Sequence, residues 1–526
     1  MSTPSIQLLP TESAKQYRMK TWHFSILIAL IYSSSLAIVA SALSSQFGFP
    51  LDDSYIHQTI ARNLAHYGVL GFIPGVPSAG ATSVLWAFIQ AANHKFVHID
   101  PIIFNLLLSW ILLIVIGSTL FSIAQQDGMS VPHSLIFAAA PALCGNFIWL
   151  ALIGMEHLLF VALVLGCITF WSETAKPHRA LLAGSCAGLL ALTRPEAIIF
   201  GPLLALTKWK EKRAVLIMLS AWIPLILILL LANFYTSHSL MPGTLKGRIW
   251  LLFGQSGGPH SLQSLLSFVL LWLRRMLTLF SPWHPAMHLV LLRTFLPVVL
   301  AIVGAIQLLI RSGERIRTLF LFAASHTLFF TLQFPSPGHG GRYQPLSLLL
   351  LFPTMFFGVQ YLVARATRKH QIATAVATAA LIVAGGASLR TWHIITIDGI
   401  AHINNTHGRA AQWLKENASA ESRVAAFDIG RISYDLNHSV IDLGGLADPN
   451  NTSYLLHHET PAYVLEQKAQ YLILPSGRFS GDLGFAHSTS TVEVAEFCSP
   501  REVWQIGWLS TGAAEQCQII YKLIHD

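Results

Sequence analysis

The sequence predicts a polytopic α-helical membrane protein of about 11 transmembrane helices, N-terminus in and C-terminus out, with a C-terminal extracytoplasmic α/β domain. Three observations carry that prediction. Hydrophobic residues fill 53% of the 526 positions and charged residues only 11%, against about 25% charged in soluble domains, too few to cover a soluble surface. Apolar runs of about 17 to 25 residues, the length that crosses a bilayer, recur along the first three quarters. Basic residues collect in short clusters between those runs, as cytoplasmic loops require. Disordered chains, coiled coils and small disulfide scaffolds are excluded. The net charge of +8 reads as this loop bias, with no nucleic-acid partner.

The elements follow in chain order. Residues 1–22 form a polar cytoplasmic tail containing Lys15, Arg18 and Lys20. The apolar run 23–43 follows, and Ala40-Ser41-Ala42 imitates a cleavage site. The run exceeds the roughly 7–15 residues of a signal core, so it reads as an uncleaved anchor. Further spans lie at 102–124, 134–151, 156–172, 180–193, 196–207, 214–234, 288–310, 318–334, 345–363 and 372–390. With eleven crossings, the basic clusters 176–179, 208–213, 311–317 and 365–369 all fall inside. That parity needs 263–281, interrupted by Arg274 and Arg275, to lie along the interface. Spans 180–193 and 196–207 are short and joined by Thr193-Arg194-Pro195-Glu196, a broken hairpin whose charges must face protein or water. The transmembrane domain is thus 23–390, with outer loops 44–101 and 235–287. The first loop holds amphipathic stretches at 56–67 and 82–96. Residues 391–526 form the α/β domain, with a helical pattern at 400–417 and strand-like runs at 424–428, 439–443, 471–475, 492–497, 502–506 and 518–523. Cys144, Cys167 and Cys186 sit in apolar segments as packing residues. Cys498 and Cys517 are either one disulfide or two thiols.

Chemistry-bearing residues gather at the outer side. Asp52 and Asp53 are adjacent carboxylates at a membrane boundary, where buried charge needs a reason; a helix N-terminus is the alternative. Glu156 and His157 stand at the tight turn between the third and fourth spans. Arg194 and Glu196 add a polar point, either lining a cavity or pairing with each other. Arg62, Lys246, Arg248 and Arg342 are the cations of that face, suited to phosphate or to anchoring at headgroups. Carboxylates beside cations fit transfer from a phosphate-linked sugar: the phosphate leaves with help from positive charge, and one carboxylate takes the acceptor's proton.

On these residues the chain resembles the GT-C superfamily of membrane glycosyltransferases, in the bacterial polyprenyl-phosphosugar-dependent branch of arabinofuranosyl, mannosyl and aminoarabinose transferases. Asp52-Asp53-Ser54-Tyr55-Ile56 followed by Ala61-Arg62-Asn63-Leu64 resembles the family's acidic pair and the helix after it. Gly80-Ala81-Thr82-Ser83-Val84-Leu85-Trp86, Gly154-Met155-Glu156, Leu192-Thr193-Arg194-Pro195-Glu196, Leu240-Met241-Pro242-Gly243-Thr244 with Lys246, and Gly341-Arg342-Tyr343 follow in the family's order. Phe427-Asp428-Ile429-Gly430 and Ile441-Asp442-Leu443-Gly444-Gly445-Leu446 resemble later motifs. His157 and Gly243 depart from the usual Thr and Asn.

The resemblance implies an inverting glycosyltransferase in the plasma (inner) membrane, moving a sugar from a polyprenyl-phosphate donor to a glycan, lipid or protein acceptor on the outer face. Asp52 or Asp53 would be the base, Glu156 and His157 a second acidic and acceptor site, and Lys246, Arg342 and Arg62 the donor-phosphate ligands. Arg194, Glu196, Tyr55 and Tyr343 would line the cavity. A divalent cation near Asp52, Asp53 and Glu156 is compatible with the family but not required by it. The competing classes are a transporter or flippase, for which an inverted repeat is expected, and a non-catalytic cell-envelope assembly protein.

Overall fold

The computed structural model describes residues 21–244, 266, 287–333, 338–419, 421–436, 440–448, 450–477, 483–485, 491–511 and 515–524. Lys246 and Arg248, the tail up to residue 20 and nearly all of 263–281 lie outside the described residues.

Helices lie over each of the eleven apolar segments. They are α1 (Thr21–Ala40), then in the first loop α2 (Asp52–Tyr67) and α3 (Val84–Ala92), then α4 (Pro101–Gln126) and α5 (Val131–Ala139). Next come α6 (His157–Trp171), α7 (Pro177–Thr193), α8 (Phe200–Thr207), α9 (Lys212–Ser237), α10 (Met287–Arg311), α11 (Glu314–Gln333), α12 (Pro345–Thr367) and α13 (His370–Ile403). Among the described residues, five stretches are long and apolar enough to cross a membrane: His23–Ser45, Pro101–Gln126, Lys212–Ser237, Pro345–Thr367 and His370–Asn417.

Local signals set the ends. Asp100 accepts the amides of Ile102 and Ile103 and Pro101 opens α4, a capping arrangement that fixes the first turn. Gly68, at φ 68°, closes α2 in the left-handed conformation. Between α10 and α12 the backbones touch: a Cβ on Gly304 would stand 1.8 Å from the Thr354 carbonyl, and one on Gly358 2.0 Å from that of Leu300. Small residues permit such an approach, and dispersion then holds the pair.

Packing extends one element past an expected boundary and corrects another. Helix α13 runs unbroken through residue 391, where the sequence reading starts a new domain. Ser388, Thr391, Trp392 and Thr396 look like an end to the apolar run but are buried. Gly145 N–H donates to Ser388 Oγ at 2.9 Å, and the Trp149 and Trp392 rings lie 5.1 Å apart. The polar side chains are satisfied inside the bundle, so the helix continues. The correction concerns 502–506, read as a strand and found as helix.

Beyond α13 come α14 (Arg409–Asn417), β1 (Val424–Ala426), α15 (Gly430–Leu436), β2 (Val440–Asp442), α16 (Asn451–Leu456), α17 (Thr460–Glu466), β3 (Tyr471–Pro475), β4 (Thr491–Cys498), α18 (Arg501–Thr511) and β5 (Cys517–Leu523). The sheet order is β2-β1-β3-β5-β4, with β2, β1 and β3 parallel and β5 antiparallel to both β3 and β4. The parallel strands are buried throughout, as strands covered on both faces must be. Edge strand β4 is mostly exposed and bulges between Glu493 and Ala495. Helix α18 contains 502–506 and buries Ile506, Gly507, Ser510 and Thr511. A five-residue apolar-polar run satisfies either period, and contact with α13 decides it. Cys498 and Cys517 face each other across β4 and β5 and are disulfide-bonded.

This C-terminal domain closes over α2. Ile56 and Ile60 share one buried cluster with Ala426, Ile429 and Ile432, which is why α2 is largely buried although fewer than half of its 16 residues are apolar.

Candidate functional site

The acidic pair opens α2, and Asp52 and Asp53 occupy its first turn, where carboxylates complement the helix dipole. Consecutive residues on a helix point about 100° apart, so the two carboxylates have different partners. Asp52 faces the C-terminal domain. Its Oδ2 accepts the Gly430 amide and its Oδ1 the Arg431 amide, both at 2.8 Å. It therefore receives the N-terminus of α15. A Cβ on Gly430 would come within 2.1 Å of the Asp52 carbonyl oxygen, so only glycine fits this contact. Burial pushes the Asp52 carboxyl above its ordinary value, and His407 and the two amides only partly offset that.

Asp53 faces the bundle. Arg342 Nη2 donates to its Oδ2 at 2.5 Å. Desolvation raises the Asp53 carboxyl, but the charge and hydrogen bond of Arg342 overcome it and hold it below the usual carboxylate range. Asp53 keeps 38% of its side-chain exposure, against 2% for Arg342. Arg342 is further held by Met155 Sδ at 3.1 Å and Tyr343 Oη at 3.3 Å, with its guanidinium over the Tyr343 ring. The turn that carries it is locked from behind: Gly340, at φ 60°, packs on Trp149 and offers its carbonyl to Asn146 Nδ2 at 3.2 Å.

Behind Asp53 is a buried ionic network. Arg194, in extended conformation at the break after α7, donates to Glu196 Oε1 at 2.6 Å, Glu156 Oε1 at 3.2 Å and His157 Nε2 at 3.1 Å. His57 Nε2 lies 3.9 Å from Glu156 Oε2, and His326 Nε2 3.6 Å from Glu196 Oε1. The pairing reading of Arg194 and Glu196 is thus the one found, widened to include Glu156 and His157. Among the described residues, Glu156 Oε2 and His157 Nδ1 have no hydrogen-bond partner, unusual for buried polar atoms.

Tyr55 and Arg62 belong to the domain junction. Tyr55 Oη accepts from Arg431 Nη1 at 2.6 Å and from the Phe49 amide at 3.0 Å. Arg62 Nη1 donates to the Tyr434 carbonyl at 2.9 Å and its guanidinium covers that ring. Asp442 accepts the amides of Gly444 and Ala447, a turn cap, and burial pushes it up to about 6. The structure thus brings together Asp53, Arg342, Tyr343, Glu156, His157, Arg194 and Glu196, and places Asp52, Tyr55 and Arg62 on the adjoining junction. Sequence reasoning missed His57, His326 and Arg431. His326 is detectable as a lone histidine in the apolar stretch 318–334, and His57 as the α2 residue one turn after Asp53.

The ligand atoms of Asp52, Asp53 and Glu156 do not all lie within 4.8 Å of one another. Asp53 and Glu156 already face guanidiniums, and Asp52 faces amides. Among the described residues the one group of close ligand atoms is Glu496 with Cys498 and Cys517, whose sulfurs are bonded to each other.

Residues 398–520 match a family model described as a domain of unknown function, DUF8728. No curated protein matches the sequence. Among solved structures, ArnT from Cupriavidus metallidurans bound to undecaprenyl phosphate is 11% identical, with TM-score 0.54, covering 94% of this chain and 98% of its own. The archaeal oligosaccharyltransferase AglB from Archaeoglobus fulgidus, in complex with an inhibitory peptide and a dolichol-phosphate, is 11% identical, with TM-score 0.53, covering 86% of this chain and 69% of its own. These likenesses span the bundle and the C-terminal domain, and the fold is the one found in ArnT and AglB.

Proposed function

We propose that this protein, which carries the GT-C fold, is a multi-pass membrane glycosyltransferase that moves a sugar from a polyprenyl-phosphate donor to a glycan, lipid or protein acceptor, with inversion. The observation that carries the reading is the Asp53–Arg342 pair, a half-exposed carboxylate on a buried guanidinium, at the bundle end covered by the C-terminal domain. The solved neighbours with undecaprenyl phosphate and dolichol-phosphate support the donor class.

In the free protein Arg342 neutralises Asp53. A donor phosphodiester carries one negative charge, as a carboxylate does, and gains a second as the phosphate leaves, so it competes for the same guanidinium. Asp53 then loses its counter-charge, its proton affinity rises, and it becomes a base only when donor is bound. The acceptor hydroxyl oxygen bonds to the anomeric carbon, the bond from that carbon to the phosphate oxygen breaks, and the hydroxyl proton passes to Asp53. Polyprenyl phosphate leaves, its charge met by Arg342, with Lys246 as a second cation for it. Asp52 is a weaker candidate: both its oxygens are occupied by amides of α15. Glu156, His157, Arg194 and Glu196 hold the wall against which Asp53 and Arg342 are placed. The basic-loop parity of the sequence supports a site and C-terminal domain on the extracytoplasmic side of the plasma (inner) membrane.

The test is purified protein with a panel of labelled polyprenyl-phosphosugars and a membrane lipid extract as acceptor, following release of polyprenyl phosphate. Release from one donor supports the reading. Folded protein that releases nothing from any donor overturns it.

A further inference from the structure

At the end of the bundle opposite Asp53, the C-terminal ends of α4, α10 and α12 meet the first residues of α5 and α13 around a cavity of about 360 Å³. Nothing in the proposed transfer uses it. Its lining is mixed. Leu308, Met129, Phe357 and Ala364 are its apolar part, and Arg311, Ser312, Tyr361 and His370 its polar part.

The polar part is short of anions. Asp127, the one carboxylate of the lining, is committed: its Oδ2 accepts the Ile316 amide at 2.8 Å and its Oδ1 pairs with Arg315 at 3.5 Å. His133 and Gln360 satisfy each other, with Gln360 Nε2 donating to His133 Nε2 at 2.9 Å and to Thr374 Oγ1 at 2.8 Å. Donors are left over. Arg311 has no ion pair among the described residues. Tyr361 Oη accepts from Arg365 Nη1 at 3.0 Å, so its own proton is available and a second guanidinium stands behind it. Ser312 is buried, with 5% exposure, and among the described residues its hydroxyl has no hydrogen-bond partner. A buried, unpartnered hydroxyl beside an unpaired guanidinium lacks an acceptor.

Position argues for the source of that acceptor. The same helices carry exposed Ile306, Leu309, Ile310, Leu362 and Ile372 beside the cavity, so its apolar part is close to the surface that lipid tails cover. A free phosphate would use only the polar part. We propose that this cavity binds the phosphate headgroup of an anionic phospholipid from the leaflet opposite the transfer site, with Arg311, Ser312 and Tyr361 on the phosphate and Leu308, Phe357 and Ala364 along the glycerol and acyl attachment.

The experiment measures binding of full-length protein in detergent to dioctanoyl phosphatidic acid, dioctanoyl phosphatidylcholine and inorganic phosphate, by native mass spectrometry and titration. Wild type is compared with Arg311→Gln and Ser312→Ala. Arg311 is exposed and remote from the transfer site, so Arg311→Gln keeps the fold, which its thermal transition checks. Phosphatidic acid is expected to bind saturably and to weaken about fivefold or more in Arg311→Gln, with a smaller loss in Ser312→Ala and transfer activity retained by both. Equal binding of phosphatidylcholine, or unchanged affinity in Arg311→Gln, overturns the proposal. Inorganic phosphate binding as tightly as phosphatidic acid overturns the lipid source and leaves a soluble phosphate site.

Discussion

Asp52 and Asp53 are neighbours in sequence with opposite electrostatics: burial raises the first, and Arg342 lowers the second. A pH profile separates the free enzyme from its donor complex. Asp53 of the free protein stays ionised as pH falls through its ordinary 3.8, so the acid limb of kcat/KM falls below about pH 4. In the complex Arg342 is drawn to the phosphate, and the acid limb of kcat moves up. Coincident limbs above pH 5 would contradict a donor-released base. The sign for stability agrees: a depressed carboxylate contributes stability above 3.8 that is lost as pH falls through the lower folded value. In the network behind, Arg194→Met leaves Glu156 and Glu196 buried without their cation. That costs about 3–5 kcal/mol, read as a lowered thermal transition; an unchanged transition would mean the network is not formed.

The elements that position these residues are short and depend on contact. Gly430→Ala places a methyl where Asp52 sits, so α15 lifts from α2. Limited proteolysis is expected to cut the C-terminal domain of this variant faster than wild type, with the bundle intact. Reduction of Cys498–Cys517, which closes a loop of 19 residues, removes about 3 kcal/mol from the domain by the chain-entropy account, seen as earlier unfolding of the domain alone. The bundle was legible because a 20-residue apolar run has one interpretation, and Tyr471–Pro475 was legible because a short buried strand is apolar throughout. Helix α13 past residue 391 and helix α18 were not legible. Their polar residues are satisfied by partners such as the Gly145 amide and the α13 backbone, which are distant in sequence. The grouping of Asp53, Glu156, Arg194 and Arg342 at one end followed from chain parity. Their pairings did not, because a helix start gives no sign of which carboxylate turns inward.

Across the whole molecule, one helix bundle presents chemistry at both ends. The domain end holds matched charges that the proposed donor phosphate would rearrange, and the opposite end holds donors that the proposed lipid phosphate would match. The C-terminal domain has its own part in this arrangement, because Asp52, Tyr55 and Arg62 bind it to the helix whose second residue is Asp53. The direct comparison is donor turnover by Asp53→Asn against Asp52→Asn, both checked as folded. The account predicts that Asp53→Asn loses about 10²- to 10⁴-fold in polyprenyl phosphate release, the contribution of a positioned base. Asp52→Asn is predicted to retain most of its turnover while its C-terminal domain becomes more sensitive to protease. Full turnover in Asp53→Asn with none in folded Asp52→Asn would contradict the assignment of the base and the division of labour between the two aspartates.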